Sequence, residues 1–568
     1  MNILGINYYF HDSSACLLQD GRLVSAIEEE RLNRDKHTYA FPELAIERCV
    51  AMAGLEFGDI DHIAVSIQPL LHWGAKLAYA TKNPRHGTGF LRFEASRLHW
   101  RLRAFARWFL RGWPRLKHRP RVHFVEHHLS HVAGSFLVSP YETAALLGLD
   151  GAGEWATSWL GAGSGTDTRC FGQSTFPHSL GSFYEAATEF CGFRPNYDEG
   201  KTMGLAAYGD PARFATEVGR MVRVDAEGGI HVDLSKFSYQ HHGDQRCGPG
   251  YHAAFGAPRK PGEPFAQHHR DLAAACQQVL EERVLQVCRI LHHKTGARHV
   301  VLSGGVALNS VMNGRIVRES PFDDLYVTPG PGDNGTCIGA AFYVRHAVLG
   351  HPRDFVLRDP YLGPAYDDAE LRLAIEARGL TATRLEDAPE TAADLIHEGR
   401  IVGWYQGRME FGPRSLGNRS ILANPTLPTM KDHLNARVKH REAFRPFAPS
   451  ALAESADEIF DTEVEAPFML KVCDVRPAWR ERLPAITHAD GTARLQTVNA
   501  ELNPRYHRLI AALGRRNGAA VVLNTSYNVM GQPIVESPLE AIDCYLGTGI
   551  DALVLGDYLL TKPAEPAA

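Results

Sequence analysis

The stretch Val125–Trp155, VEHHLSHVAGSFLVSPYETAALLGLDGAGEW, constrains the fold more than any other. Its apolar segment AALLGLD has the length and composition of a buried strand. It runs straight into Gly151-Ala152-Gly153, a turn with enough bare backbone N–H to approach a phosphate closely. Two later segments repeat the pattern: HVVLSGGVALNSVMNG (299–314) and LYVTPGPGDNGTCIGAA (325–341) each pass from an apolar strand through glycines into a helix. A chain that does this repeatedly is expected to be α/β.

Just upstream of the first turn, His127 and His131 lie four apart in a short helical run, so both rings project from one face, one turn apart. The pair is a two-tooth metal grip, and Asp150 closes the strand that follows. With 28 histidines in 568 residues the spacing arises by chance about once, and His123 and His127 show it too, so a core-satisfied histidine cluster is the competing reading. The order favours the metal: His pair, strand aspartate, Gly-x-Gly, then the two further glycine turns. In the second of these, Gly304-Gly305 lets a flat adenosine lie on the backbone and Asn309 can bond ribose or base. In the third, Asp333 opens a helix as another metal-site or phosphate-site carboxylate.

The chain starts with a strand, Asn2–Ile6, a polar turn containing His11, Asp12, Ser13 and Ser14, and two strands joined by Asp20-Gly21, a strong hairpin signal. An ATPase of the actin/hexokinase/Hsp70 type begins this way; any αβ domain with an N-terminal meander fits equally. EEERLNRDKH (28–37) reads as a loop whose basic residues meet phosphate or pair with their acidic neighbours. Residues 82–121 interleave Arg92, Arg97, Arg101, Arg103, Arg107 and Arg111 with Trp100, Phe105, Trp108, Phe109 and Trp113. Such a segment can lie on a membrane, cover an acceptor pocket, or turn its aromatics inward beneath a solvated arginine face, and the last is expected. Lys201 in DEGKTMG neutralises phosphate or forms an ordinary surface pair.

The length implies two or three domains, and Pro352, Pro360 and Pro364 mark a boundary, giving expected domains 1–355 and 356–568. A net charge of −5 gives no sign of a nucleic-acid partner. Ten scattered cysteines without CxxC pairs point to free thiols in a reducing compartment. With no basic apolar leader and no apolar run of about twenty residues, the cytoplasm is expected and a membrane is not. The second domain carries GRMEFGPRSLGNRSILANP (407–425), VKHREAFRPFAPS (438–450), THADGTARLQTV (487–498) and VVLNTSYNVMGQPIVESP (521–538). These supply Arg408, Arg414, Arg419, Lys439, Arg441, Arg445 and Arg494. Guanidinium forks drawn from separate loops are how a dianionic phosphate is held, with a set of structural arginines as the alternative.

The motifs MGLAAYG, SGGVALN, GRMEFGPRSLGNRSIL, KHREAFRPFAPS and DGTARLQTV resemble those of the O-carbamoyltransferases of the nodulation-factor and antibiotic-tailoring type, over essentially the whole chain. The resemblance implies an actin/hexokinase/Hsp70-like N-terminal domain, similar to the tRNA threonylcarbamoyl-transferring ATPase, and a YrdC-like α/β C-terminal domain. The latter would turn carbamoyl phosphate and ATP into carbamoyl-adenylate; the former would pass the carbamoyl group to a hydroxyl of a small-molecule natural product. Carried over by position, His127, His131, Asp150 and Asp333 match the metal ligands, with iron ahead of manganese or magnesium. Lys439, Arg445 and Arg494, with Arg414 and Arg419, match the adenylate-forming site. Asn524, Thr525, Ser526 and Asn528 occupy an NTSxN turn, with Tyr527 where Phe is expected, and Ser415 stands where Ala is usual. His11 lies where a polar side chain meets the acceptor. Gly151, Gly153, Lys201, Gly304, Gly305 and Asn309 are the remaining nucleotide contacts, and a homodimer is left open. A small-molecule kinase on the same fold would leave the arginine loops idle, and a nucleotide-binding regulator would show no metal dependence.

Overall fold

Asp20 and Gly21 both adopt positive φ, 50° and 88°, and so close the hairpin between β2 (Ser14–Gln19) and β3 (Arg22–Glu28). With β1 (Asn2–Asn7), β4 (His62–Val65) and β5 (Arg121–Phe124) they form a sheet of order β3-β2-β1-β4-β5. Here β1 is antiparallel to β2 and parallel to β4. The plan then recurs. Strands β6 (Thr143–Leu149), β7 (Ser158–Ser164), β8 (Asp167–Gly172), β9 (His299–Ser303) and β10 (Asp324–Tyr326) form a second sheet of order β10-β9-β6-β7-β8. Its first three strands are antiparallel and β6, β9 and β10 are parallel. A lone N-terminal meander is thereby excluded; the doubled five-strand plan is the actin/hexokinase-like ATPase fold.

The computed structural model describes residues 1–562 except 9, 113, 115, 116, 242–244 and 463. They form two compact units, Met1–Glu29 with His37–Leu357, and Glu30–Lys36 with the chain from Arg358. In the first unit the helix after β5, His127–Phe136, meets the helix beyond β10, Thr336–Tyr343. They touch through glycines. A Cβ on Gly339 would lie 1.8 Å from the Ser130 carbonyl oxygen, and one on Gly134 2.9 Å from the Gly339 Cα, so the two backbones are in direct contact.

The basic aromatic segment forms the helix Gly87–Gly112. Phe90, Phe105 and Trp108 turn inward as expected, and a buried Lys76–Glu94 pair at 2.6 Å pins this helix to its neighbour Trp73–Lys82. Trp100 does not follow them: it is 62% exposed, with Phe93 and Leu110 also facing out. Trp113 lies outside the described residues. Among the described helices none is long and apolar enough to cross a membrane.

The presumed loop at 28–37 is instead a helical turn, Glu30–Asn33, belonging to the second unit. Arg31 is buried, pairing with Glu30 at 2.7 Å and donating to the Gly412 carbonyl at 2.8 Å; Arg34 donates to the carbonyls of Pro533 and Ile534. The pairing with an acidic neighbour, one of the two readings of this run, holds for Arg31, while the carbonyl partners lie far along the chain. That unit is built on a ten-stranded mixed sheet. Alternation in its central strands divides the apolar residues: Trp404, Leu422, Val522 and Val554 enter one core, and Tyr405, Ile421, Leu523 and Leu555 the other.

Glu29, just beyond β3, accepts from the Ala45 amide at 2.7 Å and the Leu44 amide at 3.4 Å. Burial pushes its carboxyl from 4.5 up to about 7. Between those values the folded state holds the extra proton, so this group's contribution to stability is full below about pH 4.5 and is lost as pH rises through about 7. Glu29→Gln is therefore expected to raise the thermal midpoint at about pH 8.5 by more than at about pH 5.5. Denaturation at the two pH values checks this.

Candidate metal centre and arginine cluster

The His127–Phe136 helix delivers both rings to one side, with Nε2 of His131 3.1 Å from Nε2 of His127. Asp150 arrives from the end of β6 and Asp333 from the turn before the Thr336–Tyr343 helix. Asp333 Oδ1 lies 3.4 Å from His127 Nε2 and 3.3 Å from His131 Nε2, and Asp150 Oδ2 lies at 3.6 and 3.9 Å. All four side chains are buried, and one ligand atom from each falls within 4.8 Å of the others. Two facing imidazole nitrogens can share only one proton, and two buried carboxylates require positive charge. The donor set fits a divalent transition cation. Without one, burial works against charge on His127, yet Asp333 and then Asp150 push its ring up to about 10. Burial likewise opposes ionisation of Asp333, which His127 draws down to about 2.

The supports are local. Gly305 N donates to Asp150 Oδ1 at 2.7 Å, fixing the carboxylate with its other oxygen toward the rings. At Gly304, with φ at 90°, a Cβ would lie 2.1 Å from the Leu149 carbonyl oxygen, so only glycine lets this turn press against β6. Gly151 and Gly153 form the turn after Asp150, and a Cβ on Gly153 would lie 2.7 Å from His128 Nδ1. The Glu154 carboxylate accepts from the His127 amide at 3.0 and 3.1 Å and caps the helix where its dipole is positive. Sequence reasoning passed over Glu154, although it directly follows the Gly-x-Gly turn.

Two expected nucleotide contacts are engaged elsewhere. Asn309 caps the Ser310–Glu319 helix through the Met312 amide at 3.0 Å, and exchanges amide hydrogen bonds with Gln277 at 3.0 and 2.9 Å. Lys201 pairs with Asp198 at 3.0 Å, the ordinary surface alternative. His11 sits in a group the sequence did not assemble. Asp12 Oδ2 is 2.9 Å from His11 Nδ1, and Asp12 Oδ1 is 2.6 Å from Nδ1 of His37. Burial works against charge on His11, but Asp12 first and Asp333 second hold its ring well above the usual imidazole range. A cation among the carboxylates would cancel the Asp333 part.

In the second unit Arg445 lies close enough to Arg414, Arg441 and Arg494 to lower all three. Burial, then Arg445, lowers Arg441 to about 9 and Arg414 to about 10; burial, then Arg414, Arg441 and Arg445, takes Arg494 well below the usual range. Against them stands Glu442, 3.9 Å from Arg445. Among the described residues the Nε atoms of Arg414 and Arg494 are buried without a partner. This is a cluster that wants an anion. Arg441 was visible in the KHREAFRPF motif, yet only its neighbours were assigned to the site.

Three other assignments change. Arg419 is fully buried, donates from each of its nitrogens to the carbonyls of Pro364, Gln406, Gly407, Asn418 and Glu536, and lies 3.8 Å over the Tyr405 ring. It is scaffold, with nothing left for phosphate. Lys439 donates to the Ser526 carbonyl and to Asn528 O and Oδ1 at 2.9 and 2.8 Å, so it holds the NTSxN turn. Asn524 is likewise turned inward, donating to Ser415 O and Ser450 Oγ at 3.0 Å each. Thr525 and Ser526 end the strand Val521–Ser526 half-buried, and the Tyr527 hydroxyl donates to Ala541 O at 2.8 Å.

A family model described as carbamoyltransferase N-terminus matches residues 2–342, and one described as carbamoyltransferase C-terminus matches residues 393–562. The chain is 38% identical to an uncharacterised protein of Synechocystis sp., covering 100% of this chain and 97% of that one. It is 39% identical to the nodulation protein NolNO of Sinorhizobium fredii, covering 98% and 80%. Among solved structures, T. kodakarensis HypF aligns with a TM-score of 0.33 at 13% identity, covering 61% of this chain and 48% of that one, too distant for anything to be transferred.

Proposed function

Because this chain belongs to the carbamoyltransferase family, we propose that it is an ATP-dependent O-carbamoyltransferase working through carbamoyl-adenylate on a hydroxylated small-molecule natural product. The observation that carries this reading is the pairing of two sites of opposite demand in one chain, four buried metal-type ligands in one unit and four mutually repelling arginines in the other.

In residues 356–568, Arg414, Arg441, Arg445 and Arg494 hold carbamoyl phosphate and the ATP phosphates, and Lys439 keeps the Ser526–Asn528 turn in place beside them. Water releases phosphate from carbamoyl phosphate, and the carbamate formed attacks the ATP α-phosphate, expelling pyrophosphate. The product carries AMP as a good leaving group, which carbamate itself lacks. In residues 1–355, the glycine turns Gly151–Gly153 and Gly304–Gly305 carry no side chain and let the adenylate approach the backbone closely. A divalent cation held by His127, His131, Asp150 and Asp333, iron ahead of manganese or magnesium, supplies Lewis-acid polarisation of the carbamoyl carbonyl or leaving phosphate. His11 takes the proton of the acceptor hydroxyl.

Product analysis with ATP and carbamoyl phosphate tests the reading. AMP with pyrophosphate is expected. ADP would place the chain among small-molecule kinases, and the absence of both would make it a nucleotide-binding protein without turnover.

A further inference from the structure

Asp12 is the centre of a three-residue array in the first unit, with one carboxylate oxygen on each of two histidines: His11 Nδ1 at 2.9 Å and His37 Nδ1 at 2.6 Å. Both carboxylate oxygens being engaged, the plane of Asp12 is fixed, and so is the tautomer each ring takes when neutral: Nδ1–H donates to the carboxylate, so that the lone pair of a neutral His11 lies on Nε2. Asp12 and His37 both adopt left-handed backbone, φ 55° and 56°, a conformation that costs a non-glycine residue roughly 1 kcal/mol or more and persists where the surroundings over-determine it. His37 is further held by Tyr197, ring against ring at 4.2 Å.

A buried polar chain ties this array to the metal-type cluster. Asn7 Nδ2 donates to the carbonyls of His11 and Asp12 at 3.4 and 3.1 Å, and Ser66 Oγ donates to Asn7 Oδ1 at 3.1 Å. Thr336 Oγ1 lies 2.9 Å from Ser66 Oγ and 2.7 Å from the carbonyl oxygen of Asp333. Asn7, Ser66 and Thr336 are all buried. The His11 loop and the Asp333 turn are therefore held in one register through side chains that touch neither a ligand nor solvent.

We propose that Asp12 is the positioning residue of the transfer step, fixing the tautomer and orientation of His11, with His37 as the second clamp on the same carboxylate. In that step the acceptor O–H bond breaks and its proton passes to His11 Nε2. The hydroxyl oxygen bonds the carbamoyl carbon, and AMP departs with the electron pair of the C–O bond. The inference rests on the reading of His11 as the base, and the experiment separates the two.

Transfer from supplied carbamoyl-adenylate is measured for Asp12→Asn, Asp12→Glu, His11→Ala, the Asp12→Asn/His11→Ala double variant and His37→Gln, with pyrophosphate release and metal content followed on the same preparations. Asp12→Asn is expected to lower kcat about a hundredfold with the acceptor KM unchanged, because the amide donates or accepts indifferently and no longer selects the tautomer. His37→Gln is expected to give a smaller loss, about tenfold, and Asp12→Glu to restore part of the rate. Added to His11→Ala, Asp12→Asn should cost nothing more, since Asp12 acts only through that ring. Losses that multiply in the double variant, or a rise in KM without a fall in kcat, would overturn the positioning role, as would metal lost from Asp12→Asn. If His11→Ala transfers normally, the base reading itself fails; if it is defective while Asp12→Asn is normal, only the present inference fails. Unchanged metal content certifies that the first unit of each variant is folded, and unchanged pyrophosphate release that the second is.

Discussion

His131→Ala should reduce carbamoyl transfer by about a thousandfold or more while leaving AMP and pyrophosphate formation from ATP and carbamoyl phosphate intact. The ring removed stands 3.1 Å from His127 Nε2 and 3.3 Å from Asp333 Oδ1, so its loss takes one of four donors from the centre and leaves Asp333 and Asp150 with His127 alone. Two buried carboxylates facing a single imidazole hold a cation weakly, and the remaining charge is costly where it lies. Elemental analysis of the wild type and variant should show metal lost together with transfer. Equal metal in both would make the four residues an ordinary buried ion-pair network.

Arg494→Gln should have the opposite phenotype: adenylate formation falls about a hundredfold or more, and transfer from supplied carbamoyl-adenylate survives. The sign of its stability effect is a second check. Arg494 is half-buried beside Arg414, Arg441 and Arg445, all of its own charge, and its Nε has no protein partner. Removing it relieves repulsion in the ligand-free protein, so the thermal midpoint should hold or rise while ATP and carbamoyl phosphate lose their ability to raise it further. Half-reaction assays and ligand-dependent melting decide this. A variant that melts earlier and still makes AMP at the normal rate would show that the arginine is structural.

What was legible in the sequence was local. Asp20-Gly21 announces its hairpin because few residue pairs accept two positive φ angles, and His127 with His131 share a face because a helix turn fixes it. Asp150, which closes a strand before its glycines, and Asp333, which follows its own, were joined to them as a ligand set by the family resemblance. Arg419 looked like a phosphate ligand because its loop is glycine-rich; that its nitrogens meet five carbonyls, two of them at Pro364 and Glu536, depends on how distant turns fold back. Arg31 pairs with its neighbour Glu30 as one reading had it, but its bond to Gly412 and those of Arg34 to Pro533 and Ile534 were hidden for the same reason, as was the contact of Lys439 with Ser526. His37 was invisible as a partner of Asp12, since nothing in a charged run distinguishes the histidine whose backbone turns left-handed.

The doubled five-strand plan carries a statement about descent. In each repeat the first and the fifth strand are followed by a chemistry-bearing segment: His11 and Asp12 after β1, His127 and His131 after β5, Asp150 after β6, and Asp333 after β10. The helices that leave the two fifth strands meet at Gly134 and Gly339, where an axis relating the repeats would pass. A half-length ancestor, paired with its own copy about such an axis, would already have ringed one pocket with four loops of two kinds. Three of the equivalent loops supply the metal-type ligands while the fourth carries the paired histidine and aspartate. The centre is thus asymmetric within a doubled plan: equivalent loops of two like sheets carry unlike side chains.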